Sequence, residues 1–449
     1  MKLYKPSRAI TALGEDFYDP VTAAKFPQTV LRYKDDLAAT SIGLEFDDKG
    51  WAKHFGAFEP LPNTLDGPLA LRYHGHQFRH YNPDIGDGRG FLFAQCYDAD
   101  DRLLDLGTKG SGQTPYSRSG DGRLTLLGGV REVLATRYLE HLGVNTSRSF
   151  CLIETGEALT RNDEPSPTRS AVLTRLQHSH IRFGTFQRQA FFERKDNLQK
   201  LVDYCIQHFY PQVDNTAEFF DAVATQSAEA VASWMAAGFV HGVMNTDNMN
   251  ITGEVFDFGP YRFLPHFDPH FTAAYFDHNG LYAFGRQPEA MAWNLAQLAQ
   301  SLSQICEDQP LINTLENFAP RYQAALNTQI LTRLGVESQG FETDIELIRA
   351  TFKLLQNAGY SWPDFWHDWQ GGAARAGGAQ IGEYSGAEFE DWLTLLKAHE
   401  PIMDRPKTDK PASLIYEEIG ELWKPIADND DWSAFDLKLK SFARRPKTG

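Results

Sequence analysis

Between residues 241 and 259 the chain reads His241-Gly-Val-Met-Asn-Thr-Asp-Asn248 and then Val255-Phe-Asp-Phe-Gly259. A carboxylate stands beside a carboxamide, and a second carboxylate follows ten residues after the first. Magnesium takes hard oxygen ligands and keeps several waters, so one carboxylate, one amide oxygen and the phosphates of a nucleotide suffice to hold it. Asp257 and Asn248 supply the first two, which leaves Asp247 free to face an incoming hydroxyl as base or orienter. A lone Asp-Phe-Gly is a weak signal, and Asn245-Thr-Asp-Asn248 by itself would pass as a polar turn. Together they favour chemistry at a metal–nucleotide site, with the division of labour that phosphoryl transfer uses.

Four further segments fit such a site. Asp105-Leu-Gly-Thr-Lys-Gly-Ser-Gly112 is a strand running into a Gly-rich turn, with Lys109 placed to neutralise phosphate. Glu132, on the next helical stretch, can hold that lysine by an ion pair. The order of Gly and Lys is wrong for a Walker A loop, and a surface lysine beside a turn would look the same from this segment alone. Ile85-Gly-Asp-Gly-Arg-Gly90 and Ser119-Gly-Asp-Gly-Arg123 flank the lysine. Gly86, Gly88 and Gly122 let backbone approach phosphate, and Arg89 adds a bidentate contact, although Gly-Asp-Gly, here with Asp87 and Asp121, is also a common hairpin turn. Arg175 and Arg182 can clamp outer phosphates or sit as ordinary surface arginines. His74, His76 and His80, or His266 and His270, suggest a zinc pair, but no third-ligand pattern follows, so hydrogen-bonded structural histidines are expected. No Gly-x-Ser-x-Gly elbow and no GxGxxG dinucleotide loop is present.

Elements that position these residues can be read from pattern. Residues 61–185 alternate Gly-rich turns with short β-like runs, among them Gly90–Tyr97, Arg102–Gly107 and Arg169–Arg175, with Asp98–Asp101 as a hairpin turn. Gly129–Leu142 has helical periodicity and stops at Gly143. From 186 onward helices dominate: Ala217–Ala237, Ala290–Cys306, Thr314–Leu334 and Glu342–Ala358, interrupted by β-like pieces near residues 250–252 and 255–258. Trp362, Phe365, Trp366 and Trp369 stand at helical spacing and are expected in the core. Gly371–Gly386 reads as a surface loop, and residues 1–60 as an irregular, partly helical extension packing on the rest. The expected class is α/β (α+β) with two lobes: a nucleotide-binding half over 61–185 and a helical half over 186–449 carrying the metal and catalytic segments.

Composition narrows the partners. The 449 residues carry a net charge of −16, which argues against a general nucleic-acid binder. Arg169, Arg175, Arg182, Arg188 and Arg194 could still form a local basic pocket. Four cysteines without a CxxC pair exclude a thiolate zinc site and suit a reducing cytoplasm. No run reaches the ~18 apolar residues of a membrane span, and the first residues lack an apolar core long enough for a secretory leader, so neither is expected. A monomer without membrane or nucleic-acid partners is expected.

Taken in order, Tyr73-His-Gly-His-Gln-Phe78, Gly86-Asp-Gly-Arg89, Lys109-Gly-Ser-Gly-Gln-Thr-Pro-Tyr-Ser-Arg118, Gly120-Asp-Gly-Arg123, Arg131-Glu132, His241 to Met249 and Asp257-Phe-Gly-Pro260 resemble the selenoprotein O family, the bacterial YdiU proteins among them. The likeness is collinear over roughly residues 60–290 and faint beyond about 300. It implies a protein-kinase-like fold with ATP flipped in the cleft, and transfer of AMP to Ser, Thr or Tyr hydroxyls of proteins, the chain itself possible among them. By that resemblance Lys109 and Glu132 form the ion pair, and Arg175 and Arg182 hold the outer phosphates. Gly86, Gly88, Arg89, Asp121 and Gly122 line the nucleotide, Asp247 is the base, and Asn248 and Asp257 hold Mg²⁺ or Mn²⁺. The residues themselves leave phosphoryl transfer, UMP transfer and a non-catalytic nucleotide-binding regulator open.

The chain departs from the family in three places. Arg79 stands where a glycine follows HGHQF, and Gly128-Gly129 replaces a pair of small polar residues. The terminal segment Ser441–Gly449 has no cysteine, and Ala273 takes the position of the cysteine that would pair with it. A redox latch is therefore not expected: activity measured with and without a thiol reductant should agree within about twofold, and a large difference would sink this reading.

Overall fold

The computed structural model describes residues 4–162, 164–372, 384–402 and 410–442. The surface loop expected at Gly371–Gly386 and the tail after Phe442 lie largely outside the described residues. The fold is mixed α/β, with a sheet-rich N-terminal part and a helical C-terminal part.

The apolar runs form an antiparallel sheet in the order Tyr18–Pro20, Leu69–Leu71, Leu92–Tyr97, Leu103–Lys109, Thr168–Gln177, Arg148–Leu159 and Val30–Lys34. Lys5–Ser7 adds to Leu92–Tyr97, and Leu124–Thr125 to Thr168–Gln177. The hairpin read at Asp98–Asp101 is present: Tyr97 pairs with Leu103, and Asp98 accepts hydrogen bonds from the backbone of Asp100 and Arg102. The central strands are apolar on both faces because both faces are covered. Ala171 and Leu173 face the core beneath helix Leu126–Leu142, while Val172 joins Trp51, Phe55 and Phe150 on the other side. Residues 4–60 do supply two α-helices, Asp36–Ser41 and Asp48–Phe55, and a 3₁₀ helix, Ala9–Leu13, but also three strands of the sheet. Strands of three to five residues give too little alternation to be seen in sequence.

Helix Leu126–Leu142 starts where the Thr125 side chain accepts a hydrogen bond from Gly128 N–H, and ends at Gly143 in the left-handed conformation. Gly129 lies on its sheet side, where a Cβ would come within 2.4 Å of Leu152 Cδ1, so a larger residue there would have to displace the Leu152 side chain.

Helix Thr216–Ala237 is the axis of the helical part, packed by Gln287–Leu302 and Phe318–Leu334. The stretch expected as one helix from Thr314 is two, Asp308–Glu316 and Phe318–Leu334. Pro320 lacks a donor and its ring clashes with the carbonyl four residues back, at Glu316, which ends the first helix there. The β-like pieces near 250 and 255 are isolated bridges, Arg182 with Asn250 and Thr146 with Val255, rather than strands. Helix Trp362–Trp369 buries Trp362, Phe365, Trp366 and Trp369, as core packing requires. No helix among the described residues is long and apolar enough to cross a membrane.

Gly238 ends the axial helix at φ +68°, and a Cβ there would lie 2.4 Å from Trp362 Nε1. Gly238→Ala is expected to lower stability by about 2 kcal/mol or more, measured by urea unfolding.

Candidate active site

Strand Leu103–Lys109 delivers Lys109 into the interior, and helix Leu126–Leu142 sets Glu132 opposite it. The two side chains, 4% and 2% exposed, form a direct ion pair. Lys109 Nζ also reaches Asp257 Oδ1 at 2.5 Å, and Arg175 stands 3.9 Å from Glu132. A buried ammonium needs such compensation, because desolvation costs several kcal/mol per ion. Burial opposes charge on Asp257, yet Lys109, Arg175, Arg89 and Arg182 hold its carboxyl well below the usual carboxylate range. Asp257 itself sits at φ +60°, a conformation uncommon outside glycine. One buried cation thus ties together the sheet, the helix and the Asp-Phe-Gly segment.

Asp247 lies in a short 3₁₀ turn, Thr246–Asn248, whose side chains are anchored from outside. Thr246 Oγ1 accepts from His76 N–H at 2.7 Å and donates to Gln187; Asn245 Oδ1 accepts from Phe78 N–H and the Tyr282 hydroxyl. The hairpin Gly75–Gln77 and His80–Asn82 therefore clamps the catalytic segment. Gly75 is needed there, since a Cβ would fall 2.8 Å from Asp247 Oδ1. Asp247 Oδ1 is buried without a hydrogen-bond partner. Burial pushes its carboxyl up to about 6; Arg182 opposes the rise and Asp257 adds to it. Asn248 donates its amide hydrogen to Val243 O at 3.0 Å, which leaves the amide oxygen as a ligand.

Between these walls opens a cleft of about 650 Å³, within the range of small-molecule sites. Gly86, Gly88, Arg89, Lys109, Asp121, Gly122, Arg175, Arg182, Asp247 and Asp257 all line it. Glu132 stands behind Lys109, and Asn248 is at the catalytic turn just outside the lining. The glycines are sterically required: a Cβ on Gly86 would meet the Tyr116 ring at 2.5 Å, and one on Gly122, at φ +68°, would meet Gly112 O at 2.2 Å. Thr114 Oγ1 donates to Asp87 O and Ser117 Oγ to Gly88 O, so the Thr114–Arg118 segment fastens the first Gly-rich loop. Arg182 Nη1 donates to Asp247 O at 2.8 Å, and its guanidinium stacks on Tyr73 and Phe256 at 4.4 and 4.7 Å. The Nε groups of Arg175 and Arg182 are buried without hydrogen-bond partners, donors that suit phosphate oxygens.

Of the five arginines considered for a basic pocket, only Arg175 and Arg182 enter the cleft. Arg169 pairs with Glu154 and Asp430, Arg194 with Asp16, and Arg188 lies over Phe192. His74 bonds Tyr81 and His76 bonds Gln187, and among the described residues no three His, Cys, Asp or Glu side chains gather around a metal position. Arg79 occupies its family-glycine position at φ +65°, paired with Glu289 at 3.0 Å and lying over Trp293. Ala273 is buried against Gly242. Sequence reasoning missed Tyr73 and Tyr116 as ring surfaces of the cleft and Phe256 as the buried ring beneath Arg175 and Arg182, and passed over Asp87 as a turn residue. Only its place between two glycines hinted at a role for Asp87.

A carboxyl raised in the folded state favours folding at low pH and loses that contribution as pH rises through about 6. Asp247→Asn should therefore stabilise the nucleotide-free protein by about 2 kcal/mol at pH 8 in the presence of a chelator. The gain should vanish near pH 4. Denaturant titrations at both pH values check it.

Comparison with known proteins gives the family. The family model described as Protein adenylyltransferase SelO matches residues 3–442, far past residue 300, where the motif resemblance fades. The protein nucleotidyltransferase YdiU of Trichormus variabilis is 43% identical over 477 residues, covering 98% of this chain and 96% of its own. That of Gloeobacter violaceus is 45% identical over 455 residues, covering 96% and 93%. The chain belongs to the protein adenylyltransferase SelO family.

Proposed function

We propose that this chain is a metal-dependent nucleotidyltransferase that moves AMP from ATP to Ser, Thr or Tyr hydroxyls of proteins, itself possible among them, in the cytoplasm. The observation that carries the reading is one cleft joining the Lys109–Glu132–Asp257 ion group to a buried Asp247 whose Oδ1 has no hydrogen-bond partner. The family supports AMP as the group transferred. The described cysteines are free, three of them buried, which suits a reducing compartment.

In this mechanism the acceptor hydroxyl oxygen attacks the α-phosphorus and its proton passes to Asp247. The bond from that phosphorus to the bridging oxygen breaks, and pyrophosphate leaves. Lys109, Arg175 and Arg182 neutralise the phosphate oxygens, and the glycine loops let backbone approach them. Asn248 and Asp257 would hold Mg²⁺ or Mn²⁺, and their oxygens match what those ions take. Bound there, the ion would supply positive charge against the phosphate oxygens.

The test uses ATP labelled at the α or the γ position, a protein extract and the full chain. Protein-bound α label is expected, on the extract or on the chain. Bound γ label would indicate a kinase, and no bound label a nucleotide-binding regulator; either overturns the proposal. Asp257→Ala should lower labelling at least 100-fold, and a variant that retains it would show the metal assignment to be wrong.

A further inference from the structure

The acids lining the cleft have evident uses with one exception. Asp257 engages Lys109, Asp121 pairs with Arg161 at 2.8 Å, and Asp247 serves as base in the reaction proposed above. Asp87 is 7% exposed in a cleft built for phosphates, where another negative charge repels the ligand. A buried carboxylate kept in such a place must serve a neighbour.

Its contacts name that neighbour. Asp87 Oδ2 accepts from Leu71 N–H at 3.0 Å, its own N–H donates to Leu71 O at 3.1 Å, and its carbonyl accepts from Thr114. So anchored, it presents Oδ1 to Arg182 Nη2 at 3.3 Å. The other terminal nitrogen, Nη1, donates to the backbone carbonyl of Asp247, while Tyr73 and Phe256 restrain the guanidinium through their rings. With Nη2 directed by Asp87 and Nη1 directed to Asp247, Nε is left without a partner. A guanidinium has a rigid planar fork, so fixing two of its corners fixes the third.

We infer that Asp87 is a positioning residue for the transfer step: it orients Arg182 so that one side chain spans the nucleotide loop and the backbone of the catalytic base. It touches no reacting atom and acts through Arg182. The inference rests on the transferase reading. It assigns Asp87 the alignment of base and nucleotide, a contribution to turnover rather than to nucleotide affinity. Its charge works slightly against phosphate binding, so its loss should leave the KM for ATP nearly unchanged while the rate falls.

The experiment is a double-mutant cycle in the full chain, with α-labelled ATP and the same protein extract. Asp87→Asn keeps an acceptor for Leu71 but removes the charge that directs Arg182. Asp87→Ser is the second variant should the first fold poorly. Expected are a fall of about tenfold or more in rate at saturating ATP, a KM for ATP within threefold of the wild type, and a melting temperature within a few degrees. The Asp87→Asn/Arg182→Lys double variant should be no slower than Arg182→Lys alone, since one change has already removed the link. A variant at the wild-type rate, a loss carried wholly by KM, or losses that multiply in the double variant would overturn the inference. A wild type that leaves no protein-bound α label sinks the transferase reading itself, whereas a labelling wild type matched by its Asp87 variants sinks only the role of Asp87.

Discussion

A lysine ammonium buried between two carboxylates is the interaction on which the rest of the molecule turns. Lys109 cannot be satisfied by its own strand, so Glu132 must come from the adjacent helix and Asp257 from the far side of the cleft. Breaking a buried pair leaves an uncompensated charge and costs about 3–5 kcal/mol, so these segments are held to one relative arrangement. The same contact keeps Asp257 ionised. Structural restraint and readiness for chemistry thus come from one set of atoms.

Asp247 is prepared in the opposite way. Its neighbours provide few hydrogen bonds to the carboxylate and many to the turn that carries it. Thr246 and Asn245 are tied to a hairpin and a helix, so the turn is rigid while Oδ1 stays free. Two acids ten residues apart in sequence are therefore driven in opposite directions, one to stay charged and one to exchange a proton more readily. Environments that separate the titration of neighbouring acids are a common basis for dividing roles within one site.

Much of this was legible in the residues, for reasons that differ by element. Lys109, Glu132, Asp247 and Asp257 could be found because their chemistry demands particular side chains at particular places in a strand, helix or turn. Long helices were visible through periodicity, and one of them through its glycine stop at 143. What stayed hidden depended on contacts between distant segments. The three strands before residue 35 are short, and their pairing partners lie at residues 69–71, 92–97 and 148–159. The break at Asn317 needed the steric effect of Pro320 to outweigh an unbroken apolar period. Asp87 looked like a turn residue because its partner, Arg182, is 95 positions away.

The placement of those early strands bears on how the chain assembles. Val30–Lys34 closes one edge of the sheet against Arg148–Leu159, and Tyr18–Pro20 lies at the opposite edge. During synthesis, the first 34 residues leave the ribosome long before the strands they must join. With translation at about 5–20 residues per second, the Val30–Lys34 strand waits several seconds or more for residue 159. Until then its backbone donors and acceptors have no sheet to enter, and closing so long a loop carries a large entropic cost. The Val30–Lys34 strand can therefore join the sheet only after Arg148–Leu159 has been made.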